Sequence, residues 1–355
     1  MMSNNILIKG SVVSIVFLFL VTGATTGINI NINSNKTNQI KNTELNNFQP
    51  DNVWFKTFGG NGNDLGHSVC LTDDGGYILT GITDSYGAGS NDVWLIKTNS
   101  DGDEIWNKTF GGIGVDNGFS VQQTSDNGYI ITGWYESSTK FWDFYLIKTD
   151  EKGNEEWSNT FGGLGNDTAY SCQQTSDDGY IIAGNTWSYG NGLADGWLVK
   201  TDSNGNELWN KTYGSESFDV INSIKQTQDG GFIFTGGKNH LFWLIKTNET
   251  GNITWEITDS TLGEGNSVVE TSEGDYVING QAVANHPTTY LIKINSDGNE
   301  IWKKIFQDVF HGESVCETQD NGFVFTSITG SVLFGDTNVK LVKTNENGNK
   351  EWETI

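Results

Sequence analysis

The chain has 355 residues, with 20 basic against 44 acidic side chains and a formal net charge of −24. Every basic residue is Lys, so the cationic, Arg-rich face that grips nucleic-acid phosphates is excluded, as is docking on anionic lipid headgroups. Forty-five Gly, two Pro and 13 Trp make the chain too aromatic for a disordered acidic tail and point to many tight turns between short strands.

The N-terminus reads as an export signal. Lys9 precedes an apolar run from Val12 to Val21, and the small residues Gly23 and Ala24 follow. A short charged start, a short apolar run and a small-residue exit is the layout of a secretory signal. Residues 1–27 are therefore expected to be a signal peptide, with an uncleaved membrane anchor as the alternative. Residues 28–52 form an Asn-rich linker, and residues 53–355 form the folded part. The expected location is secreted or cell-surface.

The folded part is built from repeats. Trp54, Trp106, Trp157, Trp209, Trp255, Trp302 and Trp352 recur at intervals of 52, 51, 52, 46, 47 and 50 residues. After the marker Trp come Lys56–Gly60, Asn107–Gly112 and Ser158–Gly163, each ending Thr-Phe-Gly-Gly. Next come Ser68–Gly81, Ser120–Gly133 and Ser171–Gly184, each with an Asp-Gly or Asn-Gly turn that favours a hairpin. Asp92–Thr98, Asp143–Thr149 and Asp195–Thr201 close the unit, followed by a turn such as Ser-Asp-Gly-Asp before the next Trp. Each unit reads as four strands, and no 3.6-residue apolar stripe offers a helix. Four strands per unit of about 50 residues is the blade of a β-propeller. The expected fold is all-β, a single β-propeller of about six blades, with seven as the alternative. The count is left open by the outer strands. Six sets of the first three strands face seven Trp strands, so Trp54–Phe58 and Trp352–Ile355 compete for one place in the closing blade. The marker Trp is expected to pack between blades.

The fixed spacing also predicts a pairing. Lys97, Lys148, Lys200, Lys246, Lys293 and Lys343 share one place in the third strand. Glu104, Glu155, Glu207 and Glu300 lie seven residues on, so a four-residue loop would set Lys97 opposite Glu104 as an exposed cross-strand pair. Cys70, Cys172 and Cys316 sit in corresponding strands and read as small buried hydrophobes. A Cys70–Cys316 disulfide becomes a candidate if the first and last repeats are neighbours, and export would permit it.

The unit Trp…Gly-Gly-x-Gly-x-Asp…Asp-Gly-Gly-Tyr-Ile…Asp-x-Trp-Leu-Ile-Lys-Thr resembles the extracellular β-propeller repeat proteins of bacteria and archaea (SBBP-like repeats). It is more distantly similar to kelch blades. The resemblance covers residues 53–355 and implies the fold, with no shared catalytic motif. The fourth unit departs from it at Tyr213–Asp219, and the fifth departs further around Leu262–Gly265.

Few motifs carry chemistry. Gly59–Asp64, Gly111–Asp116 and Gly162–Asp167 match the start of a calcium nonapeptide, but not in tandem, so a crossover between blades is the plainer reading. No cofactor is expected, and calcium is the metal to test first, with Asp64, Asp116 and Asp167 as candidate ligands. The loops Thr98–Asp103, Thr201–Asn206 and Ile294–Asn299 read as hairpins with Gly in the left-handed region. The four His, His67, His240, His286 and His311, match no zinc spacing, and His67 and His311 would approach the axis of a closed ring. Candidate glycosylation sequons stand at Asn35, Asn107, Asn166, Asn210, Asn248 and Asn252.

Binding is expected on one rim, where crossover loops share a face with long, variable loops between second and third strands. These hold Tyr86, Trp134, Tyr135, Phe141, Trp142, Trp187, Tyr189 and Phe334, mixed with Asp84 and Glu136. Tyr86, Trp134, Tyr135, Trp142, Trp187 and Tyr189 are the candidate ligand-binding residues. The expected function is a non-catalytic binding and adhesion module for a glycan or protein partner, either a neutral polymer or a basic protein patch given the charge. The alternative is a polysaccharide-active enzyme with carboxylates on the same face.

Overall fold

The computed structural model describes residues 56–354, apart from 137, 139, 140, 283–287, 308 and 332–335. The expected export segment and linker, Asn35, Trp54, His286 and Phe334 lie outside the described residues, as does the side chain of His311. Among the described residues there is no helix, and the strands fall into six repeating units.

Unit 1 comprises β1 (Asp64–Leu71), β2 (Tyr77–Thr83), β3 (Asp92–Thr98) and β4 (Glu104–Phe110). Unit 2 comprises β5 (Asn117–Gln123), β6 (Tyr129–Glu136), β7 (Trp142–Thr149) and β8 (Glu155–Phe161). Unit 3 follows with β9 (Asp167–Gln174), β10 (Tyr180–Thr186), β11 (Asp195–Thr201) and β12 (Glu207–Tyr213). Unit 4 has β13 (Asp219–Gln226), β14 (Phe232–Lys238), β15 (Leu241–Thr247) and the first part of β16 (Ile253–Glu270). Unit 5 uses the rest of β16 with β17 (Tyr276–Ala282), β18 (Thr288–Ile294) and β19 (Glu300–Gln307). Unit 6 has β20 (Phe310–Glu317), β21 (Phe323–Ser331), β22 (Asp336–Thr344) and β23 (Lys350–Thr354). Every unit is an antiparallel meander in chain order. Units 4 and 5 share β16 across the crossover between them. The strand runs through, pairing β15 as far as Gly263 and β17 from Leu262.

The apolar alternation of each strand is buried between units. Ile130, Phe144 and Leu146 of unit 2 pack on Ala169, Cys172, Tyr180, Ile182, Trp197 and Val199 of unit 3. The marker Trp closes the outer end of each interface as expected. Trp106 meets Tyr129 at 5.8 Å between ring centroids, Trp157 meets Tyr180 at 5.6 Å and Trp209 meets Phe232 at 6.0 Å. Trp255–Tyr276 and Trp302–Phe323 repeat the contact. Lys225 on β13 is reached by solvent, yet protein surrounds it, and it lies within electrostatic reach of the thiols of Cys70 and Cys172 on β1 and β9. Burial raises the pKa of Cys70, and of Cys172 to about 12.

The Lys–Glu register differs from the expectation. A bulge between Lys97 and Thr98 sets Lys97 opposite Trp106 and Thr98 opposite Glu104. The same bulge recurs at Lys148, Lys200, Lys246, Lys293 and Lys343. The ammonium groups are buried, not exposed, and turn to the hairpin between the first and second strands. Lys97 reaches Asp74 at 2.8 Å, Lys200 reaches Asp177 at 3.0 Å and Lys246 reaches Asp229 at 2.7 Å. Lys148 is held by both Asp126 and Glu156, and Lys343 by Asp320 and Glu351. Each Lys also donates to the carbonyl of the Thr that follows it in units 1 to 4 and 6.

The hairpin is shaped for that ammonium. In unit 3, Thr175 Oγ1 and Gly179 N both donate to Asp177 Oδ1. Asp178 takes the left-handed φ of 62°, where unit 1 has Gly75 at 78° and unit 2 has Asn127 at 66°. One left-handed residue after a turn of the type I kind replaces the paired positive-φ turn that Asp-Gly suggests. The Gly that follows the left-handed residue is required for space, since a Cβ on Gly179 would collide with Thr201 O and Lys200 Nζ.

Candidate functional site

The opposite rim carries the crossover loops and the loops between second and third strands, as the sequence predicts. Tyr86 Oη donates to Gly59 O at 3.1 Å, and Tyr189 Oη donates to Gly162 O at 2.7 Å. These bonds tie the two kinds of loop together and stand each ring against a core Trp, Tyr86 on Trp94 and Tyr189 on Trp197. Tyr86, Trp142, Trp187 and Tyr189 are exposed, whereas Trp134 is buried beneath Trp142, stacked at 4.4 Å. Tyr135 is half-buried on Tyr145. Trp134 is thus the foundation of the platform and not part of its surface.

The structure adds residues that the aromatic list missed. Ile113 and Leu164, in two crossover loops, are 88% and 85% exposed, and Leu193, in the loop between β10 and β11, is exposed as well. Asn166 Oδ1 accepts from Trp142 N at 3.2 Å and Asn166 O accepts from Trp187 N at 3.1 Å, so one crossover loop joins the two Trp-bearing loops. Phe218 stacks on His240 at 5.4 Å and meets Trp187 at 6.1 Å, extending the row into unit 4. The signal for the aliphatic tips was the variable residue inside Gly-Gly-x-Gly.

The acidic residues of this rim are engaged in shaping loops. Asp64 Oδ2 accepts from Gly60 N at 2.8 Å, Asp116 Oδ2 from Gly112 N at 2.7 Å and Asp167 Oδ2 from Gly163 N at 3.0 Å. Their other oxygens take Thr83 Oγ1, Glu136 N and Thr186 Oγ1. Asp84 accepts from Asn63, and Glu136 accepts from Val115 N at 2.8 Å. The Asp that opens each third strand comes close to its crossover counterpart. Asp92 with Asp116 lie where a Cβ on Gly111 would fall, and Asp143 with Asp167 crowd Gly162 in the same way. Asp195 and Asp219 do so at Gly214. Burial first, then the neighbouring carboxylate, raises the pKa of Asp143 and Asp195. Burial also raises Asp116 and Asp167 against the bonds they accept. Among the described residues, no three His, Cys, Asp or Glu side chains form a group suited to a metal ion.

The remaining candidates are dispersed. Asn107 and Asn210 are exposed on outer strands, each accepting from a core Trp Nε1 and donating to a Glu. Asn248 and Asn252 are exposed in one hairpin turn, and Asn166 is half-buried on the rim. His67 is enclosed against Phe119 at 4.9 Å, and burial lowers its pKa to about 4. Cys70 and Cys316 form no disulfide, and no packing like that between successive inner strands joins β1 to β20. Their expected proximity depended on simple six-blade closure.

No protein-family model matches the chain. A stretch of 226 residues is 24% identical to the regulatory protein FlaEY of Caulobacter vibrioides, covering 56% of this chain and 23% of that protein. Among solved structures, a protein of unknown function from Bacteroides caccae has a TM-score of 0.50 at 12% identity, covering 78% of this chain and 92% of that one. A streptogramin B lyase also has a TM-score of 0.50, at 10% identity, covering 80% and 91%. Sqt1 from Chaetomium thermophilum, solved with the N-terminus of ribosomal protein L10, has a TM-score of 0.51 at 8% identity, covering 82% and 74%. At these identities the likeness shows the fold, and this chain is a β-propeller.

Proposed function

We propose that the protein is an exported, non-catalytic binding module that holds a polypeptide partner on the loop rim of units 1 to 3. The observation that carries this reading is the exposed apolar surface of that rim. Ile113, Leu164 and Leu193 are exposed on the same loop rim as Trp142, Trp187 and Tyr189, on loops that a rigid scaffold fixes. Sugar rings stack on aromatic faces, but aliphatic loop tips add nothing to such stacking and match a protein surface. The net charge of −24 favours a partner with basic residues around its apolar centre. Asp64, Asp116 and Asp167 already accept from loop backbone N–H groups, which supports loop shape more than acid–base catalysis. The binding is proposed to need no metal, so chelation leaves it unchanged.

Side-by-side panning of the purified protein against a displayed peptide library and a glycan array tests this. Hits rich in Lys and apolar residues, lost in Leu164→Glu, are expected. Neutral-glycan hits that survive Leu164→Glu but vanish in Trp187→Ala would replace the polypeptide with a polysaccharide. Release of reducing ends from such a glycan would make the protein an enzyme.

A further inference from the structure

The inner strands pack in succession from β1 through β5, β9, β13 and β16 to β20, and so curve round the central passage of the propeller. One place in these strands is held by Cys70, Gln122, Gln173, Lys225, Val269 and Cys316, each opposite the second residue of its second strand. In units 2 and 3 the Gln spends its oxygen on the next inner strand. Gln122 Oε1 accepts from Gln174 N and Gln173 Oε1 from Gln226 N, both at 2.9 Å. Lys225 can only donate, so the bond is closed to it. Among the described residues it has neither a hydrogen bond nor an ion pair, whereas Lys97, Lys200 and Lys246 are each paired with an Asp. Solvent reaches the side chain although protein surrounds it. Its charge acts on the thiols of Cys70 in unit 1 and Cys172 in unit 3, which places it in the passage those units share. Burial lowers its pKa, those thiols oppose the shift, and no carboxylate is among the groups that act on it.

The wall around Lys225 is rich in donors. Ser68, Ser120, Ser171, Ser223 and Ser267 are half-buried, and each hydroxyl oxygen accepts from a backbone N–H of the next inner strand. Their hydroxyl hydrogens have no acceptor among the described residues, and neither do the side-chain N–H groups of Gln122 and Gln173. Acceptors are consumed by the wall itself, and donors are left over.

Towards the loop rim, a bulge in each inner strand supplies a second row. In units 1 to 3 it is aromatic. His67 meets Phe119 at 4.9 Å between ring centroids, Phe119 meets Tyr170 at 5.3 Å, and all three are half-buried. In units 4 and 5, Asn222 and Asn266 donate to Gly265 O and Gly312 O, and in unit 6 burial raises the pKa of Glu313. Three residues separate this row from the place of Lys225, about 10 Å along a strand.

We propose that the central passage is a binding site for a small monocarboxylate with an aromatic body. Its carboxylate pairs with Lys225 and takes the spare Ser and Gln donors, and its ring lies on Phe119 and Tyr170. One ammonium balances one negative charge, and the net charge of −24 opposes a dianion.

The probe is 3-phenylpropanoate, with inorganic phosphate beside it, titrated calorimetrically into the full-length protein. One saturable site per chain is expected for 3-phenylpropanoate and none for phosphate. Lys225→Gln copies the residue of units 2 and 3, so it should keep the Tm while weakening binding at least tenfold. A second measurement reads acetylation by an N-hydroxysuccinimide ester in the unaltered protein by mass spectrometry. Saturating 3-phenylpropanoate should slow modification of Lys225 at least fivefold and leave the exposed Lys152 unchanged. Absence of saturable binding, or binding that Lys225→Gln leaves intact, overturns the proposal. Unslowed acetylation of Lys225 puts the probe outside the passage and overturns it as well. Lys225-dependent binding of phosphate in place of 3-phenylpropanoate overturns the ligand class.

Discussion

The hairpin face and the loop rim are made by the same repeat, yet they diverge in opposite directions. At the hairpin face the chemistry is nearly invariant. A buried Lys sits in all six units, and five of them pair it with an Asp held by a Thr hydroxyl and a Gly N–H. Unit 5 substitutes Glu273 and Asp275. At the rim the loops change in length and sequence, and the double Gly is lost in unit 4. A part that every interface needs cannot vary, whereas a loop anchored only at its ends can. Stability should therefore concentrate on the first face and recognition on the second.

The largest expected effect comes from Gly179→Ala, which puts a Cβ into Thr201 O and Lys200 Nζ. A loss of about 3 kcal/mol in denaturant unfolding is expected, at the top of the range for overpacking. A loss below 1 kcal/mol would mean that the hairpin relaxes freely. Asp177→Ala should cost about 2 kcal/mol, because it strands a buried ammonium while solvent at the exposed turn softens the penalty. Adding Lys200→Met to that variant should recover part of the loss, since the unpaired charge is then gone. Further loss in the double variant would contradict the pairing.

Acid separates the two faces by sign. At the hairpin face, burial would raise the pKa of Asp74, but bonds from Lys97, Thr72 and Gly76 together outweigh it and hold Asp74 at about 2. At Asp320 the bond from Thr318 leads, followed by Lys343, and its pKa is also about 2. A folded pKa below the unfolded one gives stability that is present above about pH 4 and lost as pH falls towards 2. At the rim, Asp143 is raised by burial and by Asp167, so its ionisation costs stability as pH rises above the ordinary carboxylate range. Asp143→Asn should thus stabilise by a few tenths of a kcal/mol at pH 7 and not at all at pH 3, the group being half-exposed. Equal effects at both pH values would remove the like-charge account.

The fold was legible because each unit repeats the whole strand pattern with its turns. Trp106, Trp157 and their fellows could be placed at interfaces from recurrence alone. The partner of Lys97 was misread because a bulge, invisible in spacing, moves Glu104 opposite Thr98. Thr-x-Asp-x-Gly recurring alongside the Lys in nearly every unit was the available signal. Trp134 looked like Trp142 and Trp187 in composition, and only its place below Trp142 separates a buried ring from an exposed one. Ile113 and Leu164 were hidden inside glycine loops that read as mere crossovers. Closure was undecided in the sequence for a physical reason, since two outer strands compete for one place; among the described residues β23 takes the outer place of unit 6, with Trp352 opposite Lys343.

The division between faces is tested most directly by measuring the affinity of one panned peptide for two variants, at a temperature where both are folded. A rim variant, Leu164→Glu with Trp187→Ala, should lose at least tenfold, while the hairpin variant Asp177→Ala binds like the unaltered protein. Intact binding in the rim variant with loss in Asp177→Ala would place recognition on the hairpin face and contradict the account.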